Sequence, residues 1–318
     1  MQLRLTHEDC ELCGADEPVE VASVAVSEVC RRVAEHCGAS LEPARVVRCA
    51  ECGFFYASPM PHFDREATQE LYSGDYFGEY TQRWRHSRMV ANPERRLDAI
   101  ERAARGGVSR FLEVGCGEGF AMRRAALRGW QVAGQKVSEE FAARARRGLD
   151  CHVFVGELRD APWPEGSFDV VYADSVVEHV SQPVEMLRQM AALVRPGGVV
   201  YVVCPNEECL LNSAKSLAKR TGLRRRAGIL SPLSPPYHVV GSGRATISRA
   251  LRQAGLRPVE VAVGSGADEL SKYVPASLRA RLWGVALHPL YVLGEWVGRG
   301  TALEATAVKE PPAAARWP

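Results

Sequence analysis

An α/β fold is predicted for most of this 318-residue chain, built as a mostly parallel sheet with helices on both faces. Three features carry the prediction. From Ser109 onward, short apolar runs alternate with helical stretches, the pattern of a parallel sheet covered on both sides. Between the first run and the first helix lies a glycine-rich turn, in "FLEVGCGEGF". Ahead of both, six of the ten cysteines fall before residue 53, which sets the N-terminal region apart.

The elements follow in order. "RFLEVGC" is the first strand of the alternating region, and "FAMRRAALRG" a helix closed by Gly129. "WQVAGQ" is the second strand, and "SEEFAARARRG" a helix with Ser138 as its N-cap. "CHVFVG" is the third strand. "FDVVYAD" is the fourth, and "PVEMLRQMAALVRPGG" reads as a helix opened by Pro183 and stopped by proline and glycine. "VVYVVCPN" is the fifth strand, "ATISRALRQAGL" a helix and "PVEVAVG" the sixth strand. A helical stretch near 276–297 precedes "TALEATAVK", the seventh strand. The chain thus divides into a cysteine-rich module at 1–60, a helical segment at 61–107, and an α/β domain at 108–309 with an insertion at 206–243. Residues 310–318 form a tail that is expected to be disordered.

Composition excludes several classes of function. The chain is 46% hydrophobic and 25% charged, ordinary for a globular protein. A net charge of +2 gives no reason to expect nucleic acid or a membrane surface as partner. "MQLRLTHEDC" lacks the apolar core of a signal peptide. No uncharged apolar run reaches the ~18 residues of a membrane span. "LWGVALHPLYVLGEWVG" is interrupted by His288, Pro289 and Glu295. The expected compartment is the cytoplasm.

The glycine turn points to a ligand. Gly115, Gly117 and Gly119 alternate after a buried strand, which lets backbone approach a ligand and permits positive φ. The next helix offers free N–H groups. A dinucleotide fingerprint would need glycine at the sixth position, where Phe120 stands. Glu113, just ahead of the glycines, can accept a hydrogen bond from a cationic amine, which a dinucleotide does not offer.

"FLEVGCGEG", "PWPEGSFDVVYADSVVEHV" and "LRQMAALVRPGGVVYVVCPN" together resemble the successive motifs of class I S-adenosylmethionine-dependent methyltransferases, over about residues 109–309. The resemblance implies a Rossmann-like seven-stranded sheet and S-adenosyl-L-methionine as cofactor. It implies that Glu113 meets the methionine amine, while Gly115, Cys116, Gly117 and Gly119 line the methionine and ribose. Glu157 falls beside the adenine with Leu158 covering the base, and Asp174 and Ser175 lie beneath the methionine part. The first 60 residues resemble the cysteine-rich, zinc-ribbon-like module fused to some small-molecule methyltransferases, including those acting on sugars and natural products.

One position departs from the family pattern. Lys136 stands where the ribose-binding acid belongs, and a lysine cannot accept hydrogen bonds from hydroxyls. Three accounts follow: Gln135 or Glu139 takes over, Lys136 pairs with an anionic group on a modified nucleotide cofactor, or the site no longer binds and the chain is a non-catalytic binding protein.

Cys10, Cys13, Cys49 and Cys52 form two C-x-x-C-G knuckles, the spacing that brings four thiolates to one structural Zn2+. Cys30 and Cys37, seven apart on a helical stretch, read as buried small side chains, as do Cys151, Cys204 and Cys209. Cys116 has no base beside it in sequence and is not read as a nucleophile.

A hydroxyl or carbon-acid acceptor needs a base, and His179 and His238 are the candidates, with Glu178 and Tyr237 behind them. His179 could equally organise its loop. Tyr72, Tyr76, Phe77 and Tyr80 recur at helical spacing, as packing or as a lid. Lys215, Lys219, Arg220, Arg224, Arg225 and Arg226 read as a solvated face, or as a dock for an anionic or carrier-bound acceptor. The expected function is methyl transfer to O or C of a small molecule, with no nucleic acid partner.

Overall fold

The computed structural model describes residues 1–24, 31, 34–38, 44–72, 93–214, 238–264 and 288–311. In the N-terminal region, β1 (Leu3–Thr6) pairs antiparallel with β5 (Met60–Phe63). A second sheet holds β2 (Pro18–Val24), β3 (Ala44–Cys49), β4 (Phe55–Ser58) and a late arrival, β11 (Val240–Gly241), in the order β11-β4-β3-β2. Helix α1 (Arg65–Leu71) is capped by Asp64, whose Oδ1 accepts from the Ala67 N–H at 2.8 Å. Helix α2 (Pro93–Ala103) leads into the main sheet.

That sheet has seven strands. They are β6 (Arg110–Val114), β7 (Gln131–Lys136), β8 (His152–Val155), β9 (Phe168–Asp174), β10 (Val194–Pro205), β12 (Arg257–Gly264) and β13 (Ala302–Val308). Their order is β12-β13-β10-β9-β6-β7-β8, and β13 runs antiparallel to both neighbours. Helices α3 (Phe120–Leu127), α4 (Glu139–Arg146), α5 (Pro183–Leu193) and α6 (Arg244–Gln253) connect the strands. Residues 288–296 are also helical. This is the expected Rossmann-like, mostly parallel sheet, with the late seventh strand turned round.

Side-chain alternation along the strands makes two cores. On one face Phe111, Val170, Tyr172 and Tyr201 pack with Leu97 and Ile100 of α2 and Met122 of α3. On the other, Leu112, Val171 and Val202 pack with Leu187 and Met190 of α5 and Leu251 of α6. Cys10, Leu12, Phe54 and Tyr56 of the N-terminal region belong to that same core. Polar contacts reinforce the join: Gln253 Nε2 donates to the Leu12 carbonyl at 2.9 Å, and Glu11 accepts from the Val184 N–H at the start of α5.

Two local readings change. The helix after β9 ends at Leu193, and "VRPGG" belongs to β10, with a shift of register between Val194 and Val199. A side chain at Gly198 would place its Cβ 2.6 Å from the Asp169 carbonyl, so glycine here serves close strand packing rather than a stop. Ser138 sits at the N-cap of α4, but its side chain makes no capping bond. Among the described residues no helix is long and apolar enough to cross a membrane. Cys30, Tyr76, Phe77, Tyr80, Tyr237, the basic residues of 215–226 and the last seven residues of the tail lie outside the described residues.

Asp169 fastens the rear of the sheet. Its Oδ2 accepts from the N–H groups of Ser109 at 2.8 Å and Arg110 at 2.7 Å, and its Oδ1 takes an ion pair from Arg195. Burial pushes its pKa up, but Arg195 and the two N–H groups outweigh that and hold it below the usual value. A depressed carboxylate pKa stabilises the fold above the unfolded value of about 4 and loses that effect as pH falls below it. Asp169→Asn is therefore expected to cost about 2 kcal/mol at pH 7, read from urea midpoints. The gap between variant and wild type should narrow as pH falls below the unfolded value of about 4.

Candidate functional site

Strand order reverses between β6 and β9, which places a crevice at their carboxyl ends. The turn after β6 forms one wall. Gly115, Gly117 and Gly119 all take positive φ, at 64°, 52° and 75°. At Gly115 a Cβ would lie 2.5 Å from Val176 Cγ2, so packing demands glycine there. At Gly117 a Cβ would meet nothing within 4 Å, so this backbone borders open space. Glu113 is buried behind the turn, and its Oε2 accepts from the Met122 N–H at 3.0 Å in the first turn of α3. Cys116 is buried in the core with Met122, which pushes its thiol up to about 12, against a nucleophilic role.

The opposite wall follows β9. Asp174 Oδ2 pairs with Arg96 Nη1 of α2 at 2.7 Å, and Ser175 Oγ donates to Oδ1 at 3.0 Å. Arg96 also reaches Glu304 Oε1 at 3.1 Å, and Glu304, 4% exposed, accepts from Tyr201 OH at 2.9 Å. Burial opposes the Arg96 charge, but Tyr172, Asp174 and Glu304 around it raise its pKa and hold it protonated. Ser175 takes φ 57°, the single positive-φ non-glycine among the described residues.

The second-strand residues are engaged in unexpected ways. Gln135 is buried, and its Oε1 accepts from the Gly115 N–H at 3.1 Å while Nε2 donates to the Gly156 carbonyl at 2.5 Å. Its amide ties two loops of the crevice together. Glu139 faces solvent and pairs with Arg146 at 2.8 Å. Both side chains that were expected to replace the missing acid are thus committed elsewhere. Lys136 Nζ lies 5.3 Å from the centre of the Tyr72 ring and 5.8 Å from that of Phe141, within cation–π range of both. Glu157 pairs with Arg159, and Leu158 is buried in the short turn after β8.

Beyond Ser175 a single helical turn carries Glu178 and His179. The His179 and His238 rings meet edge to face at 4.7 Å, and Tyr72 from α1 sits edge-on to His179 at 5.9 Å. The two histidines are 59 positions apart in sequence yet adjacent here. Their pairing is fixed by backbone: the Val239 N–H donates to the Glu178 carbonyl and the Val239 carbonyl accepts from the Ala57 N–H, both at 2.8 Å.

The cysteine cluster forms a separate centre. Sγ atoms of Cys10 and Cys52 are 3.5 Å apart, as are those of Cys13 and Cys49, and all four lie within 4.8 Å of one another. A tetrahedral zinc with ~2.3 Å bonds to sulfur sets its thiolates about 3.8 Å apart, so the cluster fits one ion. Each knuckle turns the same way: Gly14 donates to the Cys10 carbonyl and Gly53 to that of Cys49, at 2.6 and 3.0 Å.

A family described as "Methyltransferase domain" matches residues 112–202. The chain is 30% identical over 197 residues to the ubiquinone biosynthesis O-methyltransferase of Aromatoleum aromaticum, spanning 58% of this chain and 82% of that one. The chain belongs to the class I S-adenosylmethionine-dependent methyltransferases. A second relative of the same description, from Chromobacterium violaceum, is 35% identical over 113 residues, and the match spans 33% of this methyltransferase and 48% of that relative, about half its length. The fold is shared with a chain of the complex between the Haloferax volcanii Trm112 methyltransferase activator and a methyltransferase, at TM-score 0.51 and 17% identity over 76% of this chain and 98% of that one. Haemonchus contortus phosphoethanolamine N-methyltransferase 2, solved with S-adenosyl-L-methionine, gives TM-score 0.51 and 16% identity over 81% of this chain and 63% of its own.

Sequence reasoning missed Arg96 and Glu304 in this methyltransferase. The signal was present as "NPERRLDAIERA", an amphipathic helix with an arginine on its buried face, and as a lone acid in "TALEATAVK". Arg96 sits between two shielded carboxylates, so its removal leaves Asp174 without its ion-pair partner, while Glu304 keeps Arg95. Arg96→Met is expected to destabilise the fold by about 3–5 kcal/mol, as a lower thermal or urea midpoint. A midpoint equal to wild type would show that the network is not a structural tie.

Proposed function

We propose that this chain transfers a methyl group from S-adenosylmethionine to a small-molecule acceptor, with oxygen the favoured acceptor atom and carbon the alternative. The observation that carries the reading is the strand-order reversal between β6 and β9, where the glycine turn packs against Val176, just ahead of the turn that carries His179 and its partner His238. The oxygen preference rests on the relatives named as O-methyltransferases.

S-adenosylmethionine supplies, when bound, a methyl group on a sulfonium open to in-line displacement. Glu113 has the charge to hold its amine, and Gly115, Cys116, Gly117 and Gly119 line the methionine and ribose. Glu157 and Leu158 border the adenine. Asp174 offers a carboxylate beneath the methionine part, with its charge partly balanced by Arg96. His179 and His238 form the acceptor side and provide for removal of the acceptor proton. Tyr72 covers the gap between Lys136 and His179 and excludes water there.

Lys136 favours a second reading beside this one. With Gln135 and Glu139 engaged elsewhere, the lysine stands at the position of the family's ribose-binding acid, which suits a nucleotide cofactor carrying an extra anionic group. Mass spectrometry of the ligand that co-purifies with the protein separates the two. The four cysteines are assigned to one structural zinc, with no position left for water. The 215–226 basic run supports an anionic acceptor, and the cytoplasm is the proposed compartment.

Calorimetry on the pure protein should show S-adenosylmethionine or its homocysteine product binding, and no heat of binding would sink the reading. Lys136→Asp should tighten that binding about tenfold, or about 1.4 kcal/mol. Unchanged affinity would place the ribose away from this side chain. Metal analysis should find zinc in the wild type and a marked loss in Cys10→Ser, whereas equal metal in both would remove the zinc assignment.

A further inference from the structure

We propose that Glu178, His179 and His238 form a binding site for a divalent transition-metal cation on the acceptor side of the crevice, separate from the four-cysteine centre. The inference deepens the methyl-transfer reading and rests on it for its chemistry, though not for its geometry. One carboxylate oxygen of Glu178 and one ring nitrogen of each histidine all lie within 4.8 Å of one another. Ligands at about 2.0–2.2 Å from one ion stand roughly 3–4 Å apart, so a small side-chain adjustment closes the site.

The donor set selects the ion. Two imidazoles and one carboxylate suit zinc, manganese, iron, cobalt or nickel rather than calcium or magnesium, which take oxygen ligands. Three protein ligands also leave coordination positions open, the mark of a site that receives substrate or water. Glu178 is 3% exposed, so a cation bound to it would be shielded from water.

The ligands are also held in advance. Glu178 and His179 share one short turn, and His238 enters through Val239, whose N–H and carbonyl are bound to Glu178 and Ala57. The next residue, Val240, pairs with Tyr56 of β4. The third ligand is therefore set in place by the sheet that carries the cysteine knuckles.

Such a site defines the acceptor class. It fits a small molecule with two neighbouring oxygen donors, one of them the hydroxyl to be methylated. A metal-bound hydroxyl ionises near neutral pH, so with the cation in place its proton would pass to water, and the two histidines would serve proton removal as metal ligands in place of acting as bases. The oxygen lone pair then forms the new bond to the methyl carbon, and the electrons of the broken carbon–sulfur bond stay on sulfur.

The test uses the full-length, zinc-loaded protein and cobalt(II) alone as probe. Wild type should take up one further equivalent of cobalt with visible bands of an N/O site and no thiolate charge-transfer band. Glu178→Gln and His238→Ala should each weaken that uptake by about 100-fold or more, because even outer partners of metal ligands cost 10–100-fold. Both variants should keep their zinc and their S-adenosylmethionine affinity, which excludes misfolding as the cause. Wild type that binds cofactor but no further cobalt overturns this site and leaves the methyl-transfer reading standing. Cobalt bound without any cofactor binding overturns that reading and leaves the site. Uptake unchanged in both variants, or a thiolate band on the added cobalt, also overturns it.

Discussion

The backbone of Val239 is held from two sides, and much of the molecule depends on that. Its N–H is taken by Glu178 in the turn after β9, and its carbonyl by Ala57 beside β4. One peptide unit on each side of a single residue thus joins the α/β domain to the cysteine-bearing sheet. The two-residue strand β11 continues the join by pairing with Phe55 and Tyr56. Two residues of strand are far too few to be stable alone. They persist because both partners are rigid, one through its knuckles and the other through the seven-stranded sheet. The N-terminal region consequently packs beside the turn that carries Glu178 and His179 and shares its core with α5 and α6.

A second constraint works from the other face. Arg96 reaches in from α2 to bind Asp174 and Glu304, so the crevice wall is tied to a helix that precedes the sheet in sequence. Buried pairs of this kind add little net stability, because desolvation offsets attraction. Their effect is on specificity: Asp174 is fixed next to Ser175, whose positive φ would otherwise relax. The glycine turn is fixed in the same manner by Gln135, which holds Gly115 and Gly156 through one amide. The crevice is rigid on three sides before any ligand enters, and preorganisation of that kind suits a reaction that needs mainly alignment.

The sequence revealed what depends on local pattern and hid what depends on tertiary meeting. "FDVVYAD" is legible because a short run rich in β-branched and aromatic residues between turn signals reads as a strand, and β9 spans those seven residues. The cysteine knuckles are legible because the spacing itself is the chemistry. "VRPGG" misleads because proline and glycine usually stop a helix, whereas Gly198 here makes room for the Asp169 carbonyl. Gln135 could not be assigned because the direction of its side chain is set by loops 20 positions before it and 21 after it in the chain. The meeting of His179 with His238 was equally hidden, since a two-residue strand carries no periodicity to announce it.

Lys136 gains meaning from these contacts. As an isolated letter it is a missing acid. In the fold its ammonium lies between the rings of Phe141 on α4 and Tyr72 at the end of α1, and Tyr72 in turn leans on His179. A cation over such a ring is worth about 0.5–1 kcal/mol at an exposed site. The lysine thus contributes its interaction energy to the contact with Tyr72. Since Tyr72 touches both Lys136 and His179, its place is set from β7 and from the turn after β9 together. An acid at position 136 would take that cation away from the Tyr72 ring.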